Sequence, residues 1–148
     1  LDLYQVVGNL TGQAHTYLNL GVAQREIAHL AAAEEALNQS HIAYQQLGNR
    51  LGTINAGRQF AILARLRGDA DEALSILAEL LLDCQALGNL RGEAETLLEV
   101  AMTKIAIGDR SGARAILIDA VSRFELLNNA RGLAAASAQI AQIDSHTP

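Results

Sequence analysis

Leu47-Gly48-Asn49-Arg50-Leu51-Gly52 returns forty residues later as Leu87-Gly88-Asn89-Leu90-Arg91-Gly92. Forty residues before the first copy stands Val7-Gly8-Asn9 with Gly12, and forty after the second stands Leu127-Asn128-Asn129 with Gly132. Gly68 and Gly108 add a third column, so nine of the twelve glycines keep one register. A fixed period between 20 and 50 residues marks a stacked repeat, in which no unit buries its own apolar face and each leans on the next.

Each copy reads as a helix stop followed by a helix start. Glycine just past a last apolar residue takes the left-handed cap conformation without a Cβ penalty, and Asn128 is the next-best residue for it. The Asn that follows is suited to cap the next helix. Between these junctions apolar residues recur at helical spacing twice, as in Leu97, Val100, Ala101 and Ile105, then Ala113, Ile116, Leu117 and Ala120. The break between the two runs carries Gly68-Asp69 or Gly108-Asp109, and Asp69 with Glu72 has capping-box spacing. The first copy is degenerate there, with Ala28-His29. The unit is therefore a helical hairpin.

Small residues keep the register too. Gly21, Ala61, Ala101 and Ala141 form one column on the first helix, and Ala33, Ala73 and Ala113 form another on the second. Leu20, Phe60, Val100 and Ile140 stand beside the first column, which lets paired helices approach closely with large groups filling the space around them. A further column on the second helix holds Tyr4, Tyr44, Cys84 and Phe124.

These columns resemble the tetratricopeptide repeat: a large-small pair in the first helix, an alanine opening the second, and a large apolar residue four positions on, here Leu37, Leu77 and Leu117. The likeness covers essentially the whole chain. The chain departs from it in a 40-residue rather than a 34-residue unit, and in Gln45, Gln85 and Glu125 where a proline usually closes the second helix. The junction is similar to the longer variety in helical arms of bacterial signal-transduction ATPases and transcriptional activators, and in kinesin-light-chain-like adaptors.

The expected fold is all-α, a right-handed α-α superhelix of antiparallel hairpins. First helices fall near 11–27, 51–67, 91–107 and 131–144, and second helices near 30–47, 70–87 and 110–127. On this register residues 1–9 are the tail of a preceding repeat, 10–47, 48–87 and 88–127 are full repeats, 128–144 is a terminal helix and 145–148 a tail. A chain that begins inside a repeat without an initiator methionine is expected to be a fragment. Both ends should then expose apolar surface, with Leu3, Val6 and Ile140 as the positions to test.

The bulk composition narrows function by exclusion. The chain has 148 residues, half of them apolar, and a formal charge of −5 with eleven basic residues against sixteen acidic. That balance argues against a nucleic-acid partner, and five aromatics leave little for base stacking. No apolar run approaches the roughly 20 residues that span a bilayer. One cysteine, Cys84, excludes an internal disulfide and fits a cytoplasmic protein, with a buried small hydrophobe as its expected role. The histidines at 15, 29, 41 and 146 lack metal-site spacing, Glu34 and Glu35 read as a surface pair, and no nucleophile–base set or phosphate loop is found. No enzyme, metal or cofactor is expected.

The resemblance implies that the first helices line a groove for a protein or peptide partner. Its register selects His15, Asn19 and Arg25, then Asn55, Arg58, Gln59, Ile62 and Arg65, then Glu95, Glu99 and Met102, with Leu18, Val22 and Leu98 beside them. Arg58 and Arg65 would grip carboxylates and Glu95 and Glu99 would receive a Lys or Arg. Equally open is that Arg58 pairs with Glu95 or Glu99 across adjacent repeats. The acidic third unit is unsuited to clamp a free acidic C-terminus. The favoured expectation is an interaction module, a scaffold or sensor arm of a larger bacterial regulator in signal transduction or transcription. The alternative is a structural spacer, or a homo-oligomer formed through exposed repeat ends.

Overall fold

One three-residue turn, repeated every 20 residues, organises the chain. In the computed structural model, which describes residues 3–145 and the side chains of residues 7–145, the helices are α1 (Leu3–Glu26), α2 (Leu30–Gln46), α3 (Arg50–Leu66), α4 (Ala70–Ala86), α5 (Leu90–Ala106), α6 (Arg110–Leu126) and α7 (Ala130–Ser145). No strand occurs among the described residues. The fold is an all-α helical repeat. Its expected helix limits hold to within about a residue or two everywhere except at the start of α1.

Each turn is a Schellman cap. At the second, the Asn49 N–H donates to the Tyr44 carbonyl at 2.9 Å and the Gly48 N–H to the Gln45 carbonyl at 3.0 Å. The same two bonds recur at 28–29, 68–69, 88–89, 108–109 and 128–129. The pivot is left-handed every time, at Ala28, Gly48, Gly68, Gly88, Gly108 and Asn128, with φ between 50° and 86°. The next residue then caps the following helix: Asn49, Asp69, Asn89, Asp109 and Asn129 accept from the N–H three residues on at 2.9 to 3.0 Å. Only His29 among these positions makes no side-chain cap. The backbone thus repeats at 20 residues, and the 40-residue period belongs to the side chains that distinguish odd from even helices.

The junction expected at Gly8-Asn9 does not form. α1 runs through it as one helix of 24 residues, and Gly8 stays out of the left-handed region. A Gly-Asn pair permits a cap without compelling one; an interior glycine costs a helix about 1 kcal/mol relative to alanine, which continuous hydrogen bonding absorbs. The reading of residues 1–9 as the separate end of a preceding repeat is corrected to this extent. Tyr4, placed in the aromatic column, has a side chain outside those described, as do Leu3 and Val6; residues 146–148 of the expected tail also lie outside the described residues.

The chain divides into two compact units, Leu1–Leu63 and Ala64–Pro148. In the first, α1 packs on α2: Ala14 with Ala43 and Tyr44, flanked by Leu10, Leu18 and Leu47, and Ala33 with Leu37 and Leu63, flanked by Leu30 and Phe60. Gly21 is required here, because a Cβ on it would lie 2.6 Å from Leu37 Cγ. The Ser40 hydroxyl, fully buried, donates to the Ala14 carbonyl at 2.8 Å across the two helices. In the second unit α4 packs on α5, α5 on α6 and α6 on α7. Its core joins Ala94, Ala101, Ala113, Leu117, Ala120, Phe124, Ala136 and Ile143. Glu93, almost buried, accepts from Arg123 Nη1 at 2.7 Å and ties α5 to α6.

The outer face of α7 is apolar but built of small groups. Ile140 is half-buried against the core, and the exposed positions of α7 at Ala134, Ser137, Ala138 and Ala141 carry small side chains. Ala101 and Ala94 are fully buried in α5, whereas their counterparts Ala141 and Ala134 face outward.

Candidate functional site

The outward rows of α1 and α3 carry the polar groups the sequence selects in the first unit. His15 is exposed, its Nδ1 3.0 Å from the Thr11 carbonyl and its ring edge-on to Tyr44 at 5.5 Å. Asn19, one turn on, is also exposed. On α3, Asn55 is exposed and its Oδ1 accepts from Arg58 Nη2 at 2.9 Å, while Gln59 and Ile62 are half-buried. Arg25 reaches from the last turn of α1 to donate to Gln59 Oε1 at 2.6 Å. That bond draws the two helices' rows together and occupies both of its members.

The second unit repeats the device with a charge added. Arg65 Nη2 lies 3.0 Å from Glu99 Oε2, with the two side chains 17% and 20% exposed. Arg25–Gln59 and Arg65–Glu99 share a separation of 34 residues and a register shift of 40. Internal pairing across helices is thus what Arg65 and Glu99 do, and Arg58 bonds Asn55 within α3. Glu95 accepts from Arg91 Nε at 2.9 Å within α5. Met102 is half-buried on the same helix. The Arg65 and Glu99 expected to grip opposite charges on a peptide are engaged with each other.

The signal for this ladder stands in the sequence. The long cations recur at 25 and 65, and the long acceptors at 59 and 99, a spacing of one helix pair less the offset between a last and a third turn. Reading exposed charges singly, rather than column against column, misses it.

Open depressions of about 330 Å³ flank the Asn128–Asn129 turn, and a larger one of about 530 Å³ lies on α1 around Gly12. Cys84 is buried. Among the described residues no group of three His, Cys, Asp or Glu side chains converges as metal ligands would, and no helix is long and apolar enough to cross a membrane. No protein-family model matches the chain, and no curated protein matches it.

Proposed function

We propose that the chain is a tetratricopeptide-like interaction module that binds an extended peptide segment of a protein partner along α1 and α3. One observation carries this reading: exposed side-chain amide and imidazole groups at His15, Asn19 and Asn55 sit on α1 and α3, where the Arg25 charge is already bonded to Gln59. Amides donate and accept at once, as a peptide backbone does, so such a row suits main-chain recognition more than charge recognition. The net acidity favours a protein partner over a nucleic acid. A place as the scaffold or sensor arm of a larger cytoplasmic bacterial regulator, in signal transduction or transcription, accords with this reading.

The test is a pull-down from lysate of the source cells with the parent chain beside an Asn19→Ala, Asn55→Ala variant. A partner retained by the parent and lost by the variant supports the reading. A partner held equally by both, or none, overturns it. The Arg65 position is unsuitable for this purpose, since changing it also breaks the bond to Glu99.

A further inference from the structure

Two apolar faces lie on opposite sides of α1, and α2 packs against one of them. Ala14 and Gly21 turn toward α2, where they meet Tyr44 and Leu37. Thr16, Leu20, Ala23 and, just past the helix, Ile27 follow one another at intervals of four, three and four. At about 100° per residue that spacing puts them on the side of α1 away from α2. All four are exposed, Leu20 to 44% and Ile27 to 61%. No Asp, Glu, Lys or Arg stands between Gly12 and Gln24.

The same columns in the second unit show what such a face packs against. Thr96 and Ala136, at the position of Thr16, are buried, and so are Thr103 and Ile143 at that of Ala23. There α4 packs on α5 and α6 on α7, with Cys84 against Gly92 and Phe124 against Gly132. Thr16 and Thr96 are the same residue, so the neighbour and not the side chain makes the difference. The two covering helices bury one pattern: Ala73, Leu77, Leu80 and Cys84 in α4, and Ala113, Leu117, Ala120 and Phe124 in α6. The described chain that enters α1 continues its axis from Leu3 and does not fold back over the outer face.

We infer that the outer face of α1 docks an amphipathic helix of a partner protein, built as α4 and α6 are. Its buried side carries a small residue, a leucine four positions on, an apolar residue three further and a large apolar or aromatic residue four beyond that. A helix that is apolar on opposite sides is stable when both are packed. The stripe from Thr16 to Ile27 is about 17 Å long at 1.5 Å per residue, the length of three helical turns. Its lack of charge calls for an uncharged side on the partner, since a charge buried there would have no counterion. The stripe is turned about 100° around α1 from His15 and Asn19, so it is a second surface beside the peptide row.

The experiment is fluorescence anisotropy with a labelled peptide of residues 109–127, which carries α6 and its cap, titrated with the full chain. The expected result is saturable binding that weakens at least about fivefold on Leu20→Glu and on Ala23→Glu, each of which sets a carboxylate among apolar groups. Both positions are exposed, so both variants should keep the parent's helicity by circular dichroism. A peptide carrying Leu117→Ala and Phe124→Ala should weaken in the same way. Absence of saturable binding would overturn the inference. Equal binding by parent and variants would do so as well, since the peptide would then be replacing α6 in its own place. A parent chain that dimerises in sedimentation and loses the dimer with Leu20→Glu would give the face to a second copy, which also overturns the partner helix.

Discussion

The ring of Tyr44 lies against Gly52, in the space that any Cβ on residue 52 would occupy, while the Gly52 N–H is capped by Asn49 Oδ1 at 2.9 Å. Glycine at this position therefore serves packing and not backbone freedom, since Gly52 is helical. Phe124 and Gly132 repeat the relationship.

Gly52→Ala and Gly132→Ala are expected to destabilise the fold toward the upper end of about 1–3 kcal/mol, the usual cost of overpacking a filled site. Denaturant unfolding measures it. The cost should shrink when Tyr44→Ala accompanies Gly52→Ala, giving a coupling in the double-mutant cycle. An additive pair would show that the ring is not the obstacle. Gly12→Ala, with no described atom within 4 Å of that point, should be neutral or stabilising.

Ala28 holds the left-handed pivot with φ at 61°, and His29 after it provides no side-chain cap. Ala28→Gly relieves a conformation that costs an L-residue about 1–2 kcal/mol, offset in part by glycine's greater freedom when unfolded. His29→Asn adds the missing acceptor, a gain of about 1 kcal/mol. Both should raise the melting temperature, whereas the same change at a site already capped, Asn89→Ser, should leave it nearly unmoved. A drop on Ala28→Gly would contradict the shared-turn account.

Arg65 meets a carboxylate where Arg25 meets an amide. Glu99→Gln should thus keep the link and cost little, within about 0.5 kcal/mol, because a partly exposed pair gains little from its charge. Glu99→Ala should cost more, about 1 kcal/mol, by leaving Arg65 without its acceptor. Chemical denaturation at low and high salt distinguishes them; equal losses would mean that charge, not the hydrogen bond, holds the helices.

Burial of His41 beside Phe60, its ring edge-on at 6.1 Å, pushes the imidazole below its ordinary value of 6.5. The unfolded chain then binds this proton more readily than the folded one, so the contribution is present above about pH 6.5 and is lost as pH falls through that value toward the folded pKa. Melting temperature should decline from pH 7.5 to 5.5, and His41→Gln should flatten the decline. A parent and variant with parallel profiles would remove His41 from the account. Lys104 holds Asp109 below the usual carboxylate range, and Arg114 does the same for Asp144, so those contributions persist to lower pH and disappear only as the carboxylates protonate.

The turns and helix limits were legible because cap chemistry is local: Gly48-Asn49 and Gly88-Asn89 declare their conformation within three residues. Gly8-Asn9 shows the limit of that reading, since the same letters admit a straight helix when packing does not decide. Ala28 shows the converse, a turn formed with neither glycine nor a good cap because the hairpin around it demands one. The charged row was less legible. Arg65 and Glu99 look available one at a time, and only their columns, 34 residues apart, reveal that they meet. Ile140, one of the large groups beside the small column, packs toward Phe124's cluster as that column implies.

The most direct measurement is selection of a random-peptide display library on the full chain, followed by affinity measurement of the enriched peptides on the parent and on the Asn19→Ala, Asn55→Ala variant. The account predicts enriched peptides that bind the parent and lose at least about tenfold in affinity to the variant, or roughly 1.4 kcal/mol. Failure to enrich any peptide, or equal affinity for both proteins, would contradict the claim that α1 and α3 present a peptide-binding surface.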